Sequence, residues 1–284
     1  MADGMGENQG PRVAPGALEA APEVFFVSRQ GPRISGTALV GGLHLATGNY
    51  GTAPWWRLTV SGAMIVVTLA IGLVLTYAEL WLLDRFTGAS FSATLLGFPG
   101  AGLSGWEAYA AVGLQLLPML NFLVVLRLSP LSGYHAAEHK VVAAIEAYGQ
   151  LEYNQVVEMP RAHPRCGTVL LFGILPTMLI AYPLFFSQPF AAVLIAVIGW
   201  SLRFHVGYFI QQYFTTKPPT PAQLEAGMRA GSKLMGLWLA EPDRRVSIAR
   251  NIWTRGLPQM LIGVVIGQYL LGLIYQNMHV WLDF

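Results

Sequence analysis

Five residues in the middle of the chain have the types and spacing to do chemistry together. Three of them fall in Tyr134-His135-Ala136-Ala137-Glu138-His139-Lys140, which runs into the apolar Val141, Val142, Ala144 and Ile145. This reads as a helix, and at 3.6 residues per turn His135 and His139 lie one turn apart on one face with Glu138 beside them. Two imidazoles so placed can grip one Zn²⁺, and an adjacent carboxylate can take a proton from water that the ion activates. His-x-x-Glu-His is the inverted order of the zinc-protease helix motif. A pattern of five residues also arises by chance, usually as a solvated polar face.

The remaining two belong to His163-Pro164-Arg165-Cys166-Gly167-Thr168, just before a long apolar run. A histidine and a cysteine three apart can converge on one ion. His135, His139, His163 and Cys166 together would be a closed structural set, whereas three of them with water would leave a catalytic position open. The sequence is compatible with both. Cys166 is the only cysteine, which excludes an intrachain disulfide, and alone it would more often be a small buried residue. Glu146, Glu152 and Glu158 are further oxygen donors. Glu146 sits two turns beyond His139, about 10 Å along the helix, too far to share an ion with that pair.

The elements that must position these groups are membrane spans. Of 284 residues 54% are hydrophobic and 11% charged, about half the charged share of an ordinary soluble domain. Runs of about 20 apolar residues cover roughly 30 Å of hydrocarbon. They occur at Leu58 to Leu83, Trp106 to Leu126, Gly167 to Phe186, Phe190 to Phe209 and Leu257 to Trp281. Pro118, Pro176 and Pro183 fall inside these runs and are expected to kink them. The expected fold is an all-α polytopic bundle of about five transmembrane helices in a lipid bilayer.

Basic residues near span ends stay cytoplasmic. Arg57, Arg127, Lys140, Arg161, Arg165, Lys217, Arg250 and Arg255 belong to connections on one side, and the opposite loops carry Arg85 alone. This predicts a cytoplasmic amino terminus, an outer carboxyl terminus, and both histidine clusters at the cytoplasmic face. Residues 1–22 hold no apolar stretch of signal length and are expected to be a disordered tail. Glycine-punctuated residues from Val24 to Gly48 suit short strands and turns. Thr220 to Leu239 predicts a helix with Thr220 as N-cap and Pro221 in first position, its apolar face of Leu224, Met228, Met235 and Leu239 packed on the bundle. Arg203 and His205 lie within the fourth run, facing either the interface or the bundle interior. A net charge of +2 without a basic run excludes a nucleic-acid partner.

At these motifs the chain resembles the YqhQ-like family of bacterial membrane proteins, described as metal-dependent enzymes without an assigned reaction. The resemblance is carried by Y-H-A-A-E-H-K at 134–140, H-P-R-C-G-T at 163–168, T-T-K-P-P-T-P-A-Q-L-E at 215–225 and, less closely, I-S-G-T-A-L-V-G-G at 34–42. It implies a membrane domain over 23–228 in the bacterial cytoplasmic (inner) membrane, with 229–284 as a charged linker and an added span. Two departures stand out, because acids of the family pattern fall on Gly41 and Arg203. The expected function is a zinc-dependent hydrolytic site with His135, His139 and His163 as ligands, Cys166 as fourth ligand or support, and Glu138 as general base. The rivals are a non-catalytic accessory subunit bound to other membrane-protein subunits, and a transporter, which the absence of an internal repeat ranks last.

Overall fold

The computed structural model describes residues 34–95, 105–241 and 246–282. The expected tail at 1–22 and the start of the glycine-rich segment lie outside them. Strands β1 (Ser35–Leu39) and β2 (Gly42–Ala46) pair antiparallel, with Ser35 opposite Ala46 and Leu39 opposite Gly42. Gly41, at φ +73° in the two-residue turn between them, supplies a left-handed conformation that most side chains resist.

Helix α1 (Trp55–Thr87) is the first span. The second is broken. Helix α2 (Trp106–Leu114) ends and α3 (Leu117–Leu128) begins around Gln115 and Leu116, so Pro118 starts a helix, where its missing N–H costs nothing, instead of kinking one. Outside the membrane run α4 (Leu131–Tyr148) and α5 (Tyr153–Glu158). Helices α6 (Gly167–Phe185) and α7 (Pro189–Ile210) form the third and fourth spans, and α6 does contain Pro176 and Pro183. A π-turn over Gln211–Thr215 prolongs α7. Then come α8 (Pro221–Ala240), α9 (Ile248–Thr254) and α10 (Leu257–Leu282), the last being the fifth span.

Two span pairs approach closely at glycines. A Cβ on Gly263 would meet the Thr59 carbonyl oxygen at 1.8 Å, and one on Gly207 would meet that of Val169 at 1.9 Å. Gly263-x-x-x-Gly267 thus seats α10 on α1, the small-residue contact by which helices associate when lipid removes the hydrophobic drive. Between α3 and α6, Phe122 stacks on Phe172 at 6.2 Å.

A second core lies outside the membrane. Helix α4 is buried over most of its length, and Leu43, Leu45, Val156, Leu224 and Leu234 close around its Val141 and Ile145 from the hairpin, α5 and α8. The short Ala136, Ala137, Ala143 and Ala144 allow neighbours on every side. On α8 the inward face is Leu224, Gly227, Gly231 and Leu234. The expected apolar face therefore packs, although Leu239 at its end is 66% exposed. Thr220 caps α8 with Gln223 in a reciprocal capping box. Lys217 donates to the carbonyls of Arg127, Leu128 and Ser129, placing an ammonium at the negative end of α3 and fixing the chain that leaves the π-turn.

Candidate metal centre

One helix face and one turn build the site. His135 and His139 project from the same side of α4, their ring centroids 4.4 Å apart. Cys166 occupies the N-cap position of α6, presented by a turn in which its N–H donates to the His163 carbonyl at 3.1 Å. Ligand atoms of His135, His139 and Cys166 all fall within 4.8 Å of one another.

The two imidazoles are held alike. His135 Nδ1 lies 3.0 Å from the Thr215 carbonyl oxygen, and His139 Nδ1 lies 2.6 Å from that of Arg161. A carbonyl only accepts, so each Nδ1 carries a proton and each Nε2 is the nitrogen turned toward the cluster, the support that metal-ligating histidines receive. His135 Nε2 approaches Cys166 Sγ at 3.4 Å. His139 Nε2 is buried without a hydrogen-bond partner. A buried unsatisfied nitrogen is costly, and a cation bound by the N,N,S set would satisfy it.

The π-turn supplies both Thr215 and a feature that the sequence motifs do not contain. Gln211, fully buried, accepts from the His163 N–H at 2.7 Å and donates to Thr168 Oγ1 at 3.1 Å. The Thr168 hydroxyl, already accepting, can donate to Cys166 Sγ at 3.2 Å. The chain of donors ends on sulfur and favours thiolate. Burial pushes the Cys166 thiol up, but the His135 hydrogen bond and the nearby His139 ring outweigh it and hold it at about 4. For His139 burial acts downward and is overcome by the neighbouring Cys166 sulfur and the Glu138 charge, raising it to about 9. The pair is a thiolate beside an imidazolium, and a metal ion would take the place of that proton.

His163 and Glu138 stand at the edge of the converging trio. The His163 ring lies 6.0 Å from that of His139, and its Nδ1 accepts from the Arg165 N–H at 3.2 Å. Burial, reinforced by His139 and Arg165, lowers it to about 4. Its neutral ring is engaged by Arg165 instead of converging with the three ligand atoms. Glu138 is 7% exposed and raised by burial, with His139 and His135 opposing and Cys166 adding. Gly36 of β1 presses against it so closely that a Cβ there would stand 2.2 Å from Oε1.

Glu138, His139, His163 and Cys166 line a cavity of about 670 Å³ that Ser35, Gly36, Arg165 and Arg255 complete. Glu146 is kept out of it by an ion pair with Arg165, consistent with the distance argued from helix rise. The two positions where acids were expected also lie outside. Gly41 is at the hairpin turn, its carbonyl accepting from Arg57 at 2.8 Å. Arg203 lies over Trp200 and Phe204, 4.1 and 4.4 Å from their ring centres, and His205 is exposed.

The fold and this cluster define a multi-pass membrane protein with a His-His-Cys centre at the extramembrane end of its bundle. The chain belongs to the family described as protein of unknown function (DUF1385), whose profile matches residues 57–206. The match covers Glu138, His135, His139, His163 and Cys166 but neither the hairpin nor α10. No curated protein and no solved structure matches the chain.

Proposed function

We propose that the chain is a membrane-embedded metal-dependent hydrolase of the YqhQ-like type, with zinc held by His135, His139 and Cys166. The observation that carries this is the pairing of two carbonyl-anchored imidazoles with a polarised thiolate, at a cavity that His139, Cys166 and Glu138 line together. Three protein ligands leave a position open, the arrangement of catalytic and not of structural zinc. The ion would supply Lewis acidity to a water or substrate oxygen. The chain's own groups do the rest. Gln211 and Thr168 hold the sulfur as thiolate, Thr215 and Arg161 fix the ring planes, and Glu138, which adjoins the trio without joining it, accepts and returns the proton. Its raised pKa places it nearer to neutrality than a surface carboxylate, as a base working near pH 7 needs. The basic-residue count supports a cytoplasmic site and amino terminus, in the inner membrane of a bacterium.

The test is metal content together with one substitution. Protein purified in detergent without chelators should hold about one zinc per chain, and His135→Ala with His139→Ala should lose it. Glu138→Gln keeps the shape but not the basicity, so it should retain metal and fold while failing to complement a deletion strain. Full complementation by Glu138→Gln would favour an accessory subunit with a structural ion, and wild type without stoichiometric metal would end both versions.

A further inference from the structure

The larger of the two described cavities, about 1150 Å³, backs onto the metal centre without sharing its chemistry. Arg161 is the seam between them. Its carbonyl takes the His139 Nδ1 proton on one side, while the residue lines the larger groove on the other.

One wall is aromatic and belongs to the fourth span. Phe204, Tyr208, Phe209 and Tyr213 line it, within the stretch Pro189–Thr215 that is long and apolar enough to cross a membrane. Phe204, Phe209 and Tyr213 are 50%, 56% and 55% exposed, so this wall opens toward lipid at the depth where aromatic side chains collect. The opposite wall carries cations from outside the membrane. Lys140 is fixed by donating to the carbonyls of Val157 and Met159. Arg161 makes no side-chain hydrogen bond or ion pair among the described residues, and its Nε is buried without a partner. Arg127, outside the lining, is close enough to interact with Arg161 electrostatically and adds to the positive charge there. Glu158, the one acid in the lining, is exposed on the outer rim.

An uncompensated guanidinium at the polar end of a groove whose apolar end faces hydrocarbon calls for an anion attached to acyl chains. The volume exceeds the roughly 300–1,000 Å³ of ordinary small-molecule sites. We propose that this groove binds one glycerophospholipid, its chains along Phe204 and Phe209 and its phosphodiester at Arg161. The site does not depend on the metal assignment. The bound lipid would cover the outer side of the segment whose carbonyl orients His139.

Native mass spectrometry of delipidated full-length protein in detergent tests this with three probes: phosphatidylglycerol, diacylglycerol of the same chains, and glycerophosphate. The expected result is one phosphatidylglycerol per chain, with diacylglycerol and glycerophosphate each binding at least about tenfold more weakly. Arg161→Gln, which keeps the carbonyl to His139, should weaken phosphatidylglycerol about tenfold or more, as befits losing one charge-assisted hydrogen bond. Phe204→Ala should weaken it independently, and Phe190→Ala at the far end of α7 should not. Equal binding of diacylglycerol would leave only an apolar groove, and equal binding of glycerophosphate only a soluble anion site. Either result, or unchanged affinity in well-folded Arg161→Gln and Phe204→Ala, overturns the proposal.

Discussion

Gly36→Ala offers the sharpest probe of Glu138, because it moves the carboxylate without altering it. The added methyl would lie 2.2 Å from Oε1 and 2.4 Å from both Cδ and Cγ. Ordinary contact begins near 3.4 Å, so the oxygen must retreat by at least 1.2 Å. Because Cγ is struck as well, tilting the carboxylate is not enough and the side chain must change rotamer. An off-rotamer shift costs about 0.5–1.5 kcal/mol, small beside the stability of a domain. A catalytic group misplaced by about 1 Å can lose about 10²-fold in rate. Gly36→Ala is therefore expected to keep fold and metal but to lose most cellular function. The assay is growth complementation, scored beside zinc content and thermal unfolding in detergent. If the effect passes through Glu138 alone, Gly36→Ala with Glu138→Ala should be no worse than Glu138→Ala by itself, since coupled changes are not additive. A Gly36→Ala protein that complements fully at normal expression, or a double variant that falls well below Glu138→Ala, refutes the role given to this contact.

Three further expectations are separate. His44 is buried, donating to the Thr254 carbonyl at 2.8 Å and accepting from the Ala53 N–H at 3.1 Å, and burial lowers its pKa despite the Thr254 bond. The unfolded chain then binds the extra proton first, so this contribution is complete above pH ~6.5 and fades as pH falls through the lower native value. Amide exchange of β2 should quicken across that window in wild type, and Thr52 should show it more than residues of α6. Gly263→Ala must push the Thr59 carbonyl away by about 1.6 Å and should lower stability by about 1–3 kcal/mol, read as a fall in thermal midpoint, whereas Gly272→Ala, with nothing within 4 Å, should be neutral. Reporter fusions at Gln150 and Pro219 should read cytoplasmic and one at Ser90 outside; the reverse at Ser90 would invert the orientation.

The spans were legible because hydrocarbon thickness alone dictates about 20 apolar residues. The α8 cap was legible because Thr220 and Pro221 do their work locally. The face shared by His135 and His139 was equally local, a matter of helix pitch. What joined Cys166 to them was only suggested by a second motif, since a meeting across a loop is tertiary. Gln211 and the role of the Thr215 carbonyl are not legible because they serve through a π-turn, and nothing in a polar Gln-Gln pair announces an extra residue per turn. The break before Pro118 stands where a kink is expected, because composition does not say whether a helix bends or restarts. Arg203 could be settled only by seeing Trp200 and Phe204 beneath it.

The hairpin's anchor has a consequence for how the protein is made. Ser35 and Gly36 wall the metal cavity, yet β2 is tied through His44 to Thr254, 210 residues later in the chain. His135, His139 and Cys166 leave the ribosome well before Thr254 exists. At synthesis rates of about 5–20 residues per second, several seconds separate Cys166 from the residue that fastens the hairpin. On the proposed assignment an ion could be acquired while the cavity is still open, and the end of α9 would then close a site already loaded. A chain cut before α9 would keep every ligand and lose the latch, so its ion should exchange faster than in the whole protein.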